Sequence, residues 1–325
     1  MWLLSWPYVV AGATALLWWL WRWQRERQTV GQLHDRFVFI TGCDSGFGHQ
    51  LATQLDRRGL RVLAACLTER GAEQLRRKAS GRLQTVLLDV TRPESVRAAA
   101  QWAREAVGER GLWGLVNNAG IAFPMVPNEW LTKEDFTKVL DVNLLGLIDV
   151  TLTLLPLVKR ARGRIVNVAS VMGRLSVFGG GYCISKFGVE AFSDSLRREL
   201  FHFGVKVAII EPGNFRTQIL APENMRALVA ATWSRAPPGA RESYGDVYLD
   251  SYCRGLERLI SEAKTDLSPV YGCMTHALTA VHPRTRYAPG RDAQFIYLPL
   301  SYLPTSLSDF LLRSFLSSVP PARAR

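Results

Sequence analysis

Short apolar runs rich in β-branched residues recur along the chain from residue 37 to residue 210. Most of the segments between them repeat apolar residues at helical spacing, for example Glu94–Val107 and Glu134–Val158. Strands that alternate with helices in this way predict an α/β fold, a doubly wound parallel sheet with helices on both faces. The predicted strands are Phe37–Ile40, Arg61–Ala65, Gln84–Leu88, Gly114–Val116, Arg164–Val168 and Lys206–Ile210.

The pattern changes at about residue 214. Residues 214–290 read as helices and loops broken by prolines, with no strand run comparable to those before it. Apolar residues in its first half predict an apolar lid at about residues 214–260, although they would equally suit an ordinary helix core. These residues are Phe215, Ile219, Leu220, Met225, Leu228 and Trp233.

The C-terminal stretch is apolar but interrupted. Residues 295–316 contain Pro299, Pro304, Asp309 and Arg313, which disfavour a second membrane-spanning helix. We expect one last strand there and then an amphipathic segment that lies against protein or membrane. The predicted organisation is a domain at residues 36–290, followed by a membrane-associated segment and tail at residues 291–325.

The N-terminus predicts a membrane anchor. Residues 1–21 include no charged side chain, are rich in Trp and Leu, and are followed by Arg22, Arg25 and Arg27. A cleaved signal peptide is the alternative, but its basic residues would precede the apolar run. We therefore expect an uncleaved transmembrane or signal anchor at residues 1–21 and a linker at residues 22–35, with the basic flank and the catalytic domain in the cytosol.

Charge and cysteine content exclude two other classes. The chain has 40 Lys and Arg against 28 Asp and Glu, a net charge of +12, but its basic residues are scattered and not interleaved with aromatics. We expect no nucleic-acid partner and interpret the charge as a surface facing anionic membrane lipid. The five cysteines form no C-x-x-C pair and no metal spacing with histidine, which predicts free thiols and no metal site.

A glycine-rich turn follows the first predicted strand. Gly42, Gly46 and Gly48 stand between the apolar run Phe37–Ile40 and a segment with helical periodicity. Bare backbone at a helix N-terminus suits a pyrophosphate, because free N–H groups and the helix dipole favour an anion. A tight strand-to-helix turn needs glycine too, so this motif alone is weak.

A tyrosine and a lysine are spaced to share a helix face. Tyr182 and Lys186 are four residues apart and follow three glycines, 179–181. An ammonium near a phenol favours the phenolate, which would make Tyr182 a general base. Ser170 ends a predicted strand, where open α/β sheets bind ligands, and could hydrogen-bond a substrate oxygen or merely cap a turn.

Two asparagines interrupt apolar segments. Asn117 lies in the run Leu115–Gly120 at the end of a strand, and Asn143 lies within a helical pattern, where Asn lowers helix stability. A buried structural hydrogen bond is as good an explanation of Asn143 as catalysis.

Taken in order, these motifs resemble the short-chain dehydrogenase/reductase family over residues 37–217. The resemblance implies a single Rossmann-type domain in which Tyr182 exchanges the hydroxyl proton, Lys186 lowers the pKa of Tyr182 and holds the nicotinamide ribose, Ser170 orients the substrate oxygen and Asn143 holds a water. It further implies a set of cofactor-binding residues in addition to Tyr182 and Lys186. These are Thr41, Gly42, Asp44, Ser45, Gly46, Phe47, Gly48, Asp89, Asn117, Ala119, Gly120, Pro212, Gly213 and Thr217.

The choice between NAD and NADP depends on the residues near the second predicted strand. Asp44 lies in the glycine-rich turn and would repel a 2′-phosphate, and no Arg or Lys lies in that turn. Arg70 is the cation that would instead favour NADP. We expect NAD.

Sequence segments over nearly the whole chain are similar to those of the microsomal retinol dehydrogenase and 3α/17β-hydroxysteroid dehydrogenase subgroup. They include residues 179–200 and His282–Tyr287. The resemblance implies an enzyme of the endoplasmic reticulum membrane that oxidises a retinoid or steroid alcohol, and it leaves a homodimer open. The alternatives are a catalytically idle retinoid or steroid carrier of the same fold, and a carbonyl reductase that uses NADPH.

Overall fold

The structure, a computed structural model, describes residues 6–217, 222–313, 315 and 319–324. Within these residues seven parallel strands form one sheet in the order β3-β2-β1-β4-β5-β6-β7. The strands are β1 (Phe37–Thr41), β2 (Arg61–Cys66), β3 (Gln84–Leu87), β4 (Gly114–Asn117), β5 (Arg164–Val168), β6 (Lys206–Ile210) and β7 (Arg286–Tyr287). The predicted α/β fold with a parallel sheet is confirmed.

Helices cover both faces of the sheet. Those within the domain are α2 (Gly46–Arg57), α3 (Glu69–Arg76), α4 (Pro93–Val107), α5 (Lys133–Leu140), α6 (Gly146–Arg160), α7 (Gly181–Glu199), α8 (Pro222–Arg235), α9 (Pro238–Ser261) and α10 (Ser268–Thr279). Along β1, Val38 and Ile40 face a core shared with α2 and α10, whereas Phe37 and Phe39 face a core shared with α4 and α6. This alternation explains why every residue of β1 is buried and why all but the last, Thr41, are apolar.

The strand order reverses between β1 and β4, which are hydrogen-bonded neighbours with Val38 opposite Gly114. β2 and β3 extend the sheet on one side of this point, and β5 to β7 extend it on the other. In open parallel sheets a crevice forms at such a point outside the carboxyl ends of the strands. The fold therefore places a binding crevice beyond Thr41 and Asn117.

The predicted last strand within residues 295–316 is wrong. A π-helical turn at Ala293–Tyr297 leads into α11 (Leu298–Ser301), and α12 (Thr305–Leu312) follows. The last strand is instead β7, in the segment where the sequence pattern predicted none. Two residues on the edge beside β6 are too short a run to produce a periodic signal.

The N-terminal helix α1 covers Trp6–Glu26, so it extends beyond the predicted anchor into the predicted linker. Its Trp18, Trp19 and Trp21 side chains are more than half exposed. Among the described residues the stretch long and apolar enough to span a membrane is Lys133–Arg160, which is part of the folded domain. Membrane anchoring by α1 therefore stays a prediction.

The linker is docked on the domain. Thr29 pairs with Ala280 in an antiparallel bridge, and the Val30 N–H donates to the Thr279 carbonyl at 2.8 Å. Glu26, at the end of α1, forms an ion pair with Arg284. The last turn of α1 is thus held against the loop between α10 and β7.

Candidate active site

A cavity of about 540 Å³ lies at the carboxyl ends of the central strands. Segments that follow β1, β4, β5 and β6 each supply part of its wall, as the reversal of strand order predicts. One end is lined by the glycine-rich turn and the other mainly by apolar side chains. The lining of the cavity therefore suits two ligands, one polar and one apolar.

The glycine-rich turn forms the polar end. Gly42 has a φ of 69°, and a Cβ built on it would lie 2.8 Å from the Cα of Ala119, so only glycine fits both the backbone and the space. Ser45 is the N-cap of α2 and its side chain makes no capping hydrogen bond. The free N–H groups at the start of α2 therefore face the cavity, as a pyrophosphate requires.

Two carboxylates border this end. Asp44 accepts hydrogen bonds from the Leu67 N–H at 2.7 Å and from the Thr68 N–H at 2.9 Å, which ties the glycine-rich turn to the end of β2. Asp89 accepts from the Thr91 hydroxyl, which lowers the pKa of this carboxyl. Both acids line the cavity, so this end of it carries two carboxylates.

Most of the site residues predicted from sequence line the cavity. They are Gly42, Asp44, Ser45, Gly46, Phe47, Asp89, Ala119, Gly120, Ser170, Tyr182, Lys186, Pro212, Gly213 and Thr217. Thr41, Gly48, Asn117 and Asn143 do not. Thr41 instead accepts from the N–H groups of Asn118 and Ala119, and a Cβ on Gly48 would lie 2.5 Å from the Gly42 carbonyl oxygen.

Asn117, predicted to contact the cofactor, lies away from the cavity. Its amide donates to Thr151 and to Asn167, both at 2.8 Å, inside the sheet–helix core. The next residue, Asn118, lines the cavity and donates to the carbonyls of Thr41 and Gly42. The signal for this was the strand alternation itself, because neighbouring residues at a strand end point to opposite faces.

Three side chains meet at the junction between the polar and apolar ends. Ser170 follows β5 and accepts from the Met172 N–H at 3.1 Å, so it does cap a turn, yet it also hydrogen-bonds the Tyr182 hydroxyl. Tyr182 and Lys186 lie on one face of α7, with the Lys186 Nζ 5.6 Å from the centroid of the Tyr182 ring. This Nζ donates to the Val168 carbonyl at 2.9 Å.

Burial dominates the proton affinities of this group. It raises the pKa of Tyr182 to about 12, although the hydrogen bond with Ser170 opposes the rise. It lowers the pKa of Lys186 to about 8, because a buried ammonium loses hydration. From the sequence, we expect Lys186 to lower the pKa of Tyr182 toward neutral pH. That lowering is not seen in this arrangement, in which the ammonium donates to the Val168 carbonyl.

Asn143 lies behind the site in a π-helical turn, Asp141–Leu145, between α5 and α6. Its side chain accepts from the Ile121 N–H at 2.8 Å and donates to the Ile121 carbonyl and to Ser185. Ser185 in turn donates to the Tyr182 carbonyl at 2.6 Å. π-Helical turns within α-helices occur frequently at functional sites.

The apolar end is built from residues that the sequence motifs did not identify. They come from five separate parts of the chain and include Met125, Met172, Phe178, Leu259 and Tyr297. From the predicted lid Phe215 lines the cavity, whereas Met225 and Trp233 pack in the core of the lid helices and Leu228 is exposed. Ile219 and Leu220 lie outside the described residues.

The fold and the site define a Rossmann-type enzyme with one cavity for a dinucleotide and an apolar substrate. The chain belongs to the short chain dehydrogenase family, whose sequence profile matches residues 36–227. It is therefore an oxidoreductase that uses a nicotinamide dinucleotide. The match ends within the lid, so the family profile covers the polar end of the cavity better than the apolar end.

Individual relatives narrow the class. The chain is 62% identical to retinol dehydrogenase 7 of Rattus norvegicus over 98% of this chain and 99% of that protein. It is 59% identical to 17-beta-hydroxysteroid dehydrogenase type 6 of Homo sapiens over 91% of this chain and 93% of that protein. The solved structure of a short chain dehydrogenase/reductase from Burkholderia phymatum in complex with NAD has the same fold, with a TM-score of 0.66, 23% identity and coverage of 87% of this chain and 97% of that chain.

Proposed function

We propose that this protein is a membrane-anchored dehydrogenase that transfers a hydride between a retinoid or hydroxysteroid alcohol and NAD. The observation that carries the proposal is the position of Ser170, Tyr182 and Lys186 at the boundary between a polar, glycine-lined end and an apolar end of one cavity. A lipophilic alcohol needs such an arrangement, with one polar group at the reacting carbon and an apolar wall elsewhere. The names of the relatives point to the same substrates.

The chemistry assigned to this chain is proton transfer and orientation. Tyr182 takes the hydroxyl proton of the alcohol, and Ser170 donates a hydrogen bond to the same oxygen. Lys186 is placed to stabilise negative charge at Tyr182 once it leaves Val168, and Asn143 fixes the backbone that carries Tyr182 through Ser185. The nicotinamide ring would supply the hydride acceptor, and Thr217, Pro212 and Gly213, which line the cavity, would hold it.

NAD is the proposed cofactor because of Asp44. Its carboxylate lies at the end of β2 and lines the cavity, where the adenosine ribose of a dinucleotide would lie. A 2′-phosphate there would meet negative charge, and Arg70 is an exposed residue outside the cavity wall. The two ribose hydroxyls of NAD would instead find acceptors in Asp44 and Asp89.

Membrane attachment completes the proposal. The exposed tryptophans of α1 and the exposed Phe295, Ile296 and Phe310 of the C-terminal segment suit a lipid surface better than water. The arginines after the apolar run favour a cytosolic catalytic domain at the endoplasmic reticulum. Protease treatment of sealed microsomes tests this orientation, since a domain that is protected until detergent is added would be lumenal.

Carbonyl reduction is the second candidate function, because the raised pKa of Tyr182 keeps its hydroxyl protonated at neutral pH, as proton donation to a carbonyl oxygen requires. Both directions are tested with full-length protein in detergent, NAD and NADP with their reduced forms, and panels of retinoids and 3α- and 17β-hydroxysteroids. We expect oxidation of at least one lipophilic alcohol with NAD, and loss of that activity in Tyr182→Phe. Cofactor binding without turnover of any alcohol or carbonyl compound would instead support a carrier.

A further inference from the structure

A partly buried ionic cluster lies along α7, the helix that carries Tyr182 and Lys186. α7 carries Lys186, Glu190 and Asp194 at intervals of four residues, so the three side chains follow one another along one face. Arg286 of β7 forms ion pairs with Glu190 and, at 2.9 Å, with Asp194. The mechanism uses Lys186 and leaves the two acids without a role.

The cluster extends to the two loops that line the site. Glu211, which precedes Pro212, lies 3.7 Å from Arg286 and accepts from Arg174 at 3.0 Å. Arg174 comes four residues after Ser170 and also donates to the Tyr302 hydroxyl at 2.6 Å. A single group of charges therefore joins the helix of Lys186, the loop of Ser170 and the loop of Pro212.

The environment of Glu190 is unusual for an ionised carboxylate. One oxygen pairs with Arg286, but the other, Oε1, is buried without a hydrogen-bond partner among the described residues. Glu190 and Glu211 share Arg286 and are both almost fully buried. A buried carboxyl that faces the negative charge of a second carboxylate retains its proton more readily than it would alone.

We propose that Glu190, which contacts Arg286 together with Glu211, holds a proton and so controls the charge of Lys186 and the pH dependence of hydride transfer. Glu190 is the residue that acts, because it lies one helical turn from Lys186, and Glu211 acts through its charge on Glu190. The charged groups that face Glu190 are Lys186 and Asp194 on its own helix, and Arg174, Glu211 and Arg286 on the packed elements.

Proton affinities support this geometry. Burial, together with the charge of Glu211, raises the pKa of Glu190 to about 8. The charge of Glu190 raises the pKa of Lys186 against the effect of burial. When Glu190 ionises, Lys186 holds its proton more firmly, so Tyr182 and Lys186 together release a proton only at higher pH.

The first test is the pH profile of alcohol oxidation, and in this form the inference rests on the proposed function. Glu190→Gln keeps the shape and removes the charge, so we expect the rising limb to move to lower pH by about one unit. Glu211→Gln allows Glu190 to ionise at lower pH, so the rising limb of the profile of this variant should move to higher pH. Asp194→Asn removes an equally paired carboxylate two turns from Lys186 and should leave the limb in place.

The second test needs no activity and decides the matter if no alcohol is oxidised. A carboxyl with a raised pKa in the folded state contributes stability below its unfolded pKa, about 4.3, and loses it as the pH rises through the folded pKa. Glu190→Gln should therefore gain Tm relative to the wild type between pH 5 and pH 8. If Glu190→Gln does not fold, the pH at which the wild type and Glu211→Gln lose Tm gives the same information.

Asp194→Asn is the control in this series. Ion pairs with Arg197 and Arg286 lower the pKa of Asp194, so its stability contribution is already complete above about pH 5 and the Tm difference from the wild type should stay constant. A constant Tm difference for Glu190→Gln as well, or limbs that shift alike in Glu190→Gln and Glu211→Gln, would overturn the proposal and leave the cluster a purely structural feature.

Discussion

The two ends of the cavity are constructed in different ways. The glycine-lined end consists of backbone and short side chains at the carboxyl ends of adjacent strands, for example Gly42, Asn118 and Thr217. The apolar end consists of large side chains from elements far apart in sequence, for example Met125, Leu259 and Tyr297. The first is fixed by the sheet, and the second by how the lid and the C-terminal segment pack on it.

This difference assigns separate tasks to the two ends. We propose that the cofactor, common to every turnover, is bound where hydrogen-bonded strands fix the backbone. The substrate would then be bound where single side chains can change without disturbing the sheet. Substitutions at the glycine-lined end should affect all substrates equally, whereas those at the apolar end should affect selectivity.

The largest effect is expected where the two ends meet. Tyr182→Phe removes the hydroxyl that exchanges the substrate proton, so kcat should fall by about 1000-fold or more, while the Kd for NAD changes by less than about twofold. Stopped-flow turnover and cofactor fluorescence measure the two quantities. Tyr252→Phe is the control, because it removes a buried hydroxyl that donates to the Met125 carbonyl and takes no part in the chemistry.

The next largest effect is expected in the glycine-rich turn. Gly42→Ala forces a side chain against the Ala119 backbone, and we expect the Kd for NAD to rise about 30-fold, ~2 kcal/mol, with every substrate affected alike. Gly59→Ala shares the backbone strain of a positive φ, 89°, but has no atom within 4 Å of the added Cβ. An equal loss of NAD affinity in both variants would show that general destabilisation, and not the turn, is responsible.

Asp44 should control the choice of cofactor by a smaller factor. Asp44→Asn removes the charge, so the preference for NAD over NADP should fall by about tenfold, ~1.4 kcal/mol. The ratio of kcat/KM for the two cofactors is the measurement. Glu69→Gln removes a neighbouring exposed carboxylate that pairs with Arg76, and an equal change there would indicate that overall charge, not Asp44, sets the preference.

The smallest effect is expected at the apolar end. Leu259→Ala shortens a side chain of the wall and so enlarges the cavity. We expect the ratio of kcat/KM for retinoid and steroid substrates to change by about threefold to tenfold, with the KM for NAD unchanged. Leu228→Ala, at an exposed position on the lid, is the control. Equal loss for all substrates in Leu259→Ala would contradict the division of tasks between the two ends.

The fold and the glycine-lined end could be predicted because their signals are local. A strand, a glycine-rich turn and a helix follow one another within about 20 residues, and each has a periodicity or a backbone requirement that names the residue. Asn117 shows the limit of this method. The motif marks two neighbouring amides, and the register of the strand end decides that Asn118, and not Asn117, faces the cavity.

The apolar end could not be predicted because its residues have no common motif. Tyr297 reaches the wall from a π-helical turn in a segment that the apolar pattern predicted to contain a strand. Met225 and Trp233 have the composition of a lid but pack into its core, with Trp233 against Trp130. Arg286 lies in a two-residue strand, and its ion-pair partners Glu190 and Asp194 are 96 and 92 residues away in sequence, so its position beside Lys186 depends on tertiary structure alone.

The central claim, that Tyr182 at the boundary of the two ends serves hydride transfer from a lipophilic alcohol to NAD, is tested most directly with isotope. Full-length protein in detergent is incubated with NAD and a retinol or 3α-hydroxysteroid deuterated at the carbinol carbon, and the nicotinamide product is analysed by mass spectrometry. We predict one deuterium in the reduced cofactor with the wild type and none above background with Tyr182→Phe. Bound NAD without deuterium transfer in the wild type, or equal transfer in Tyr182→Phe, would contradict the account.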